Sequence, residues 1–184
     1  MKINKWKIHN KEVVLTAHVF RYQKVQSESP TTREIGNFDV VQCFNWVNII
    51  ALDENNEVIL VKQYRHGTEE VTLEIPGGAI NQNEDSLSAA KRELVEETGY
   101  TSSNWKFLGK VDANPAFMNN SCETYLALNA KKTHELSLDP FEEIEVLHKP
   151  FHEIKTLIKE KVIKHSLVIA AFYFLLTADD VGVG

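Results

Sequence analysis

Cysteine is scarce in this chain: only Cys43 and Cys122 occur in 184 residues. A disulfide-stapled domain or a cysteine-ligated zinc site needs more cysteines at closer spacing, so both classes are disfavoured and we expect two reduced thiols. Long apolar runs are lacking too. The one membrane-like stretch is "LVIAAFYFLL" at 167–176. A bilayer-spanning helix needs about 20 such residues, so this shorter run predicts a buried C-terminal helix.

Basic residues are also fewer than acidic residues. Lysine and arginine number 20 against 26 aspartates and glutamates, which gives a formal net charge of −6. A general nucleic-acid binder needs a basic face, so that class is disfavoured. A small phosphorylated ligand stays compatible, because a bound cation can reverse the local sign of the charge. The N-terminal "MKINKWKIHNKEVV" lacks the apolar core of a signal peptide, so we expect a cytoplasmic protein.

The chain is rich in alternating strand-like and helix-like segments. Residues 1–45 are expected to form a small antiparallel sheet, with strands at 12–19 and 38–43 around a polar loop at 26–37. Residues 46–184 are expected to form the main domain. Its predicted strands lie at 46–52, 57–64, 71–75, 105–111, 124–130 and 143–148, and its predicted helices at 86–98, 150–160 and 163–178. This mixture predicts an α/β fold, an α/β/α sandwich with a small N-terminal antiparallel β-sheet.

The segment "GGAINQNEDSLSAAKRELVEETGY" at 77–100 crowds glutamates near the end of its predicted helix. Asp85 is the favoured N-cap, with Asn83 as the alternative, and Gly99 is placed to end the helix. Helical periodicity puts Glu93 and Glu97 on one face beside the apolar stripe, where the lower dielectric strengthens their repulsion. Two ionised carboxylates there need a proton or a cation between them, and oxygen ligands favour Mg²⁺ or Mn²⁺. On the charges alone, a solvated acidic face is the alternative.

The residues around this helix fit a known pattern. Gly78, five residues, Glu84, seven residues and then "RELVEETGY" at 92–100 resembles the Nudix box, G-x5-E-x7-R-E-U-x-E-E-x-G-U, where U is bulky and apolar. All the fixed positions match, and the one soft departure is Tyr100, which is aromatic at the last U position. The resemblance implies hydrolysis of a nucleoside diphosphate linked to another group, on the α/β/α Nudix fold.

The resemblance also implies roles for the individual residues. Those it assigns to the metal, Mg²⁺ with Mn²⁺ as a substitute, are the Gly77 carbonyl, Glu84, Glu93, Glu96 and Glu97. Glu93 and Glu97 would be direct ligands, and Glu96 would lie behind them or hold a further ion. Glu84 would support the cluster, and Arg92 would orient the carboxylates. Bound metal would neutralise the pyrophosphate and activate a water molecule.

Two further stretches, "QYRHG" at 63–67 and "LEIPGG" at 73–78, resemble the ADP-ribose pyrophosphatase branch of this family, as does the position of Pro115. By this resemblance Arg65 grips the pyrophosphate through its forked guanidinium, and Glu74 belongs to the wall of the site. A solvated strand end is the alternative for Arg65.

A general base is also required. Members of this branch often take it from a loop before a late strand, where "LDPFEEIEV" at 138–146 offers Glu142 and Glu143. We prefer Glu142, and Glu96 is the first alternative if neither acts.

The N-terminal sheet also resembles this branch, whose members often exchange it across a homodimer. We therefore expect a homodimer in which the partner subunit helps to bind the nucleoside. Phe20, Arg21 and Trp46 are candidates to contact the base by stacking, although aromatic residues in such positions also serve as ordinary core.

The leading functional hypothesis is Mg²⁺-dependent hydrolysis of ADP-ribose or a related nucleoside diphosphate sugar to a nucleoside monophosphate and a sugar phosphate. The alternative is the same reaction on GDP-mannose or another sugar nucleotide, because "NPAFMNN" at 114–120 differs from the glycine-rich loop of many ADP-ribose enzymes. A catalytically silent nucleotide sensor is disfavoured, since the box keeps its four glutamates. An RNA decapping enzyme is disfavoured by the acidic balance.

Overall fold

The computed structural model describes residues 3–138 and 140–178, which form two compact units. The first unit comprises the chain up to Phe44 together with Asp112–Ser121. The second comprises Asn45–Val111 and the chain from Cys122 onward. The segment Asp112–Ser121 follows the edge of its own unit, where the carbonyl of Phe117 accepts the N–H of Val41 at 2.8 Å.

The first unit is built on a three-stranded antiparallel sheet with β1 (Lys7–Thr16), β2 (Phe20–Glu28) and β3 (Ile35–Cys43) in that spatial order. The middle strand, β2, was not predicted from the sequence. It pairs with β3 along its whole length, from Phe20 opposite Cys43 to Glu28 opposite Ile35. The predicted loop is therefore shorter than expected and runs from residue 29 to 34. Main-chain hydrogen bonds hold β2 in the sheet even where its side chains are polar, which is why its apolar pattern was weak.

The second unit is a mixed sheet with helices on both faces. Its strands are β4 (Trp46–Asp53), β5 (Glu57–Arg65), β6 (Glu70–Glu74), β7 (Gly77–Ala79), β8 (Tyr100–Thr101), β9 (Asn104–Asp112), β10 (Ser121–Lys132) and β11 (Ile144–Pro150). Its helices are α1 (Ser86–Thr98), a short 3₁₀ turn (Phe151–Glu153), α2 (Ile154–Lys159) and α3 (Ser166–Thr177). The order is β11-β5-β4-β10-β8, with β6 on β5, β7 on β4 and β9 on β10. The central pair, β4 and β10, is parallel.

Strand β4 is buried on both faces and serves two cores. One core combines its odd-numbered residues with α1, and the other combines its even-numbered residues with α2 and α3. The first core includes Val47, Ile49, Ala51, Ala89, Ala90 and Leu94. The second includes Ile50, Leu52, Ile154, Val168, Phe172 and Leu175. Each large side chain buried in this way contributes about 1.5–3 kcal/mol. The predicted α/β/α sandwich with an N-terminal antiparallel sheet is confirmed.

Local signals set the ends of α1. The Asp85 side chain accepts the N–H of Ser88 at 3.0 Å, as expected for an N-cap. Gly99 has a left-handed backbone (φ 75°) and donates its N–H to the carbonyl of Val95. A side chain at Gly99 would lie 2.2 Å from the carbonyl oxygen of His134, so only glycine fits there. The predicted helix at 86–98 is thus confirmed at both ends.

The predicted C-terminal helices are both present but shorter. The segment predicted at 150–160 begins with the 3₁₀ turn after Pro150, and α3 starts at Ser166 rather than at 163. The apolar run of α3 is largely buried, as expected. Within residues 3–138 and 140–178, no helix has the length and apolarity to cross a membrane. Cys122 is buried at the start of β10, and burial raises the pKa of its thiol to about 12.

Candidate active site

The short strand β7 turns one row of its backbone groups toward α1. The carbonyl of Pro76, just before β7, accepts the N–H of Ile49 across the sheet at 2.9 Å. The next residue faces the other way, and the N–H of Gly77 donates to Oε2 of Glu97 at 2.9 Å. In an antiparallel pair such a residue directs its carbonyl to the same side as its N–H. The carbonyl of Gly77 is therefore directed toward the carboxylates of α1.

Gly77 and Gly78 allow the main chain of β7 to lie close to β4 and to α1. A side-chain carbon at Gly77 would lie 2.3 Å from the carbonyl oxygen of Val47. One at Gly78 would lie 2.3 Å from Oε1 of Glu93. Both distances are far inside van der Waals contact. The two glycines thus allow the main chain and the carboxylates to share a space that a larger residue would fill.

The two carboxylates beside these glycines are costly to ionise. Glu97 is 5% exposed, and burial raises the pKa of its carboxyl to about 8, with the charges of Glu93 and Glu142 adding to the effect. Burial also raises the pKa of Glu93, despite its bond to Arg92. A cation placed between them would offset both burial and repulsion. Oxygen donors of this kind fit a hard divalent ion such as Mg²⁺, so the residues present suit the expected metal.

Arg92 links the remaining acidic residues of the motif. Its Nη1 donates to Oε1 of Glu93 at 2.8 Å and to Oε2 of Glu96 at 2.9 Å. Its Nε and Nη2 donate to the two carboxylate oxygens of Glu84 at 2.9 and 3.0 Å, which lowers the pKa of Glu84. A fifth bond runs from Nη2 to the carbonyl of Ala79 at 2.9 Å. One guanidinium therefore fixes three carboxylates and the end of β7.

Arg65 and Glu74 form a second polar group at the ends of β5 and β6. Nε and Nη2 of Arg65 donate to the two oxygens of Glu74 at 2.9 and 2.8 Å, and the hydroxyl of Thr72 donates to Glu74 at 2.6 Å. Burial opposes the charge on Glu74, but these hydrogen bonds outweigh it and lower its pKa. The pKa of Arg65 is raised by its bonds to Glu74, with contributions from the charges of Glu97 and Glu142. Arg65 thus lies within the electrostatic field of the metal-type carboxylates.

Glu142 precedes β11 in irregular chain, and its charge raises the pKa values of Glu93 and Glu97. The structure therefore brings Glu142 into the field of the α1 carboxylates. Adjacent residues of a strand point to opposite faces, which would have separated Glu142 from Glu143, but that rule does not apply here. Strand β11 begins at Ile144, one residue later than predicted, so both glutamates lie outside the ladder.

A protein-family model described as NUDIX domain matches residues 45–172. The chain belongs to the Nudix family. Among curated proteins, it is 30% identical to a Bacillus methanolicus protein named methanol dehydrogenase activator, over 89% of each chain. It is 33% identical to the ADP-ribose pyrophosphatase of Mycobacterium tuberculosis, over 66% of this chain and 58% of that one. Among solved structures, an ADP compounds hydrolase shares the fold, with a TM-score of 0.83 and 22% identity over 96% of this chain and 95% of the other.

The predicted membership of the Nudix family, in its ADP-ribose pyrophosphatase branch, is therefore confirmed. The chain is a Nudix pyrophosphohydrolase, and α1 with the preceding loop is its Nudix box.

The three residues predicted to contact the nucleoside lie at the starts of strands. Trp46 begins β4, opposite Ala79 of β7 and Cys122 of β10. Phe20 and Arg21 belong to β2 of the first unit. A nucleoside-binding role for these three residues stays a prediction.

Two residues near the site were not predicted. Asn48 is buried on β4, its Nδ2 has no hydrogen-bond partner among the described residues, and its Oδ1 lies close to the Gly77 backbone. A lone Asn inside "WVNIIAL" is the signal that would have identified it. His165, before α3, places Nδ1 3.8 Å from Oε2 of Glu74, and burial lowers its pKa. Nothing in the sequence connected His165 to Glu74, because the contact is long-range.

Proposed function

We propose that this Nudix hydrolase cleaves the pyrophosphate bond of ADP-ribose, or of a related nucleoside diphosphate sugar, with Mg²⁺ as cofactor. The products are a nucleoside monophosphate and a sugar phosphate. The observation that carries the proposal is the buried carboxylate of Glu97, held against the backbone of Gly77 and within the field of Arg65 and Glu142. A site that makes its own carboxylate costly to ionise is suited to hold a cation.

The metal would be held by Glu93, Glu97 and the carbonyl of Gly77, with Glu96 behind them. When bound there, Mg²⁺, or Mn²⁺ as a substitute, would neutralise the phosphate oxygens and lower the pKa of a water molecule. Arg92 and Glu84 keep the carboxylates oriented through the hydrogen bonds described above. The acidic chain thereby gains a local site for a polyanion despite its net charge of −6.

Arg65 is proposed to bind the pyrophosphate. Its pair with Glu74 uses two of the five N–H donors of the guanidinium and fixes the plane of the group. The remaining donors suit phosphate oxygens in a forked geometry. Glu142 is proposed as the general base that takes a proton from the attacking water, with Glu143 and then Glu96 as alternatives.

ADP-ribose is preferred as the substrate because the M. tuberculosis relative is named for it and the structural neighbour for ADP compounds. GDP-mannose or another sugar nucleotide is the alternative. The test incubates the protein and Mg²⁺ with a panel of nucleoside diphosphate sugars and adds a phosphatase, which releases phosphate only from the cleaved products. ADP-ribose should give the highest kcat/KM, and Glu97→Gln protein should give almost none. A higher kcat/KM for GDP-mannose would reject the preferred substrate, and no release from any compound would reject the function.

We also propose which residues bind the nucleoside and how the protein assembles. Phe20, Arg21 and Trp46 bind the base in a cytoplasmic homodimer formed through the N-terminal sheet. The outer strand β1 supports this, because all ten of its residues are exposed and, within residues 3–138 and 140–178, one of its edges is unpaired. Light scattering should give twice the chain mass, and a Lys or Pro placed within β1 should give monomers with a raised KM. A fully active wild-type monomer would contradict this part.

The relative from B. methanolicus supports a second candidate function, because its likeness extends over 89% of both chains. In this candidate the hydrolase serves to activate a dehydrogenase. A purified methanol dehydrogenase assayed with and without the protein would show the effect as a change in rate. If Glu97→Gln protein activates equally well, activation does not depend on hydrolysis.

A further inference from the structure

Three metal-ligating side chains converge at the end of β4 that is remote from Gly77. Asp53 ends β4, Glu57 begins β5, and His148 lies on β11 beside them. One ligand atom from each lies within 4.8 Å of the other two. Gly77 pairs with Asn48, five residues before Asp53, so this group is about 16 Å along the strand from the Nudix box. It is a separate cluster.

The local chain positions these side chains. Oδ1 of Asp53 accepts the N–H groups of Asn55 and Glu57 at 2.8 and 2.9 Å within the tight turn between β4 and β5. These bonds hold the carboxylate so that its other oxygen, Oδ2, lies 3.5 Å from Nδ1 of His148. That separation exceeds the usual 2.7–3.2 Å of a hydrogen bond. It matches the spacing of about 3.4 Å between two ligands that each lie about 2.1 Å from a tetrahedral ion.

Tyr100 orients the histidine. Its hydroxyl lies 3.1 Å from Nε2 of His148. When Nε2 carries the proton and donates to this hydroxyl, Nδ1 keeps its lone pair toward Asp53, as in histidines that bind metals. Tyr100 is also the residue that departs from the Nudix box, where an aliphatic side chain would have no hydroxyl to offer. The departure thus has a specific structural consequence.

In the part of the chain that the structure describes, no lysine or arginine nitrogen lies within 4.0 Å of the carboxylate of Asp53 or Glu57. The Nudix box differs in this respect, because Arg92 bonds to its glutamates. A bound cation would supply the missing charge.

We propose that Asp53, Glu57 and His148 form a second metal site that binds a transition-metal ion such as Zn²⁺ rather than Mg²⁺. One imidazole nitrogen and two carboxylates are donors that zinc accepts, whereas Mg²⁺ prefers oxygen ligands alone. The bound ion would link the β4–β5 turn to β11. Tyr100, which follows Gly99 at the end of α1, would join this link through its hydrogen bond to His148. Its role is to stabilise this edge of the fold, without a part in the hydrolysis.

Isothermal titration with Zn²⁺ tests the proposal. The background is Glu93→Gln/Glu97→Gln protein, in which the Nudix box is disabled. One Zn²⁺ per chain should bind, and excess Mg²⁺ should not displace it. In the same background, His148→Gln and Glu57→Gln should each weaken binding by about 100-fold or more, and Tyr100→Phe by about 10-fold.

His152→Gln is the matched control, since this exposed histidine lies outside the cluster, and it should bind Zn²⁺ like the background. Zn²⁺ should also raise the Tm of the background and of the control, but not that of His148→Gln. Circular dichroism checks that each variant is folded. Unchanged zinc affinity in folded His148→Gln or Glu57→Gln protein would overturn the proposal, as would equal competition by Mg²⁺.

Discussion

The substitution Glu97→Gln should make the metal-free protein more stable while removing its activity. The folded-state pKa of Glu97 is about 8 and the ordinary value is 4.5, so the folded protein binds this proton more tightly than the unfolded chain does. The stability that this bound proton contributes is therefore fully present below about pH 4.5 and is lost as the pH rises through 8. At pH 7, which is 2.5 units above the ordinary pKa of 4.5, burying Glu97 in the folded protein costs about 3 kcal/mol of stability, at 1.36 kcal/mol per unit. Glutamine is neutral and keeps an oxygen for the N–H of Gly77, so it should avoid this cost.

The assay compares thermal unfolding of wild-type and Glu97→Gln protein in EDTA at pH 5, pH 7 and pH 8. The gain should be less than about 1 kcal/mol at pH 5 and should grow with pH, reaching about 6 °C or more in Tm at pH 7. Added Mg²⁺ should stabilise the wild type and leave the variant unchanged. The kcat of the variant should fall by at least about 10². Glu96→Gln is the control, because its carboxylate is part-exposed and should give no comparable gain. A gain that does not increase with pH would refute the reasoning.

The remaining predictions concern the metal and its neighbours. EDTA should abolish hydrolysis and excess Mg²⁺ or Mn²⁺ should restore it, whereas full activity in EDTA would exclude a metal mechanism. Arg65→Ala should raise KM strongly, because its proposed bond to phosphate would form as soon as the substrate binds. Glu142→Gln should mainly lower kcat, with Glu143→Gln as its control, and the reverse result would exchange the two glutamates. Gly78→Ala should reduce Mg²⁺ affinity, measured by titration, because the added carbon would meet a carboxylate at 2.3 Å; unchanged affinity would count against the packing.

The Nudix box could be predicted from the sequence because its determinants are local. Asp85 and Gly99 mark the ends of α1 through the main chain of their own helix, and the spacing of Glu93 and Glu97 follows from helical periodicity alone. The fixed spacing of the motif then located the preceding loop. The prediction agrees with the structure at these positions because contacts between residues close in sequence determine them.

Contacts between residues far apart in the sequence were harder to predict. The pair of Arg65 and Glu74 depends on the register of β5 against β6, which no local pattern specifies. The nearness of His165 to Glu74 depends on how α3 packs. Strand β2 was missed because its pairing uses main-chain hydrogen bonds, and these leave little trace in side-chain patterning.

Labelling of Cys122 can measure how often the centre of the sheet opens in the native protein. Its thiol is buried where β10 starts along β4, and with a pKa of about 12 only about one molecule in 10⁵ is a reactive thiolate at pH 7. In Cys43→Ser protein, a thiol reagent should therefore label the chain only when β4 and β10 separate. The labelling rate then measures the free energy of that separation in the native protein. A slower rate with Mg²⁺ would show that the metal restrains the centre of the sheet as well as the helix that holds it.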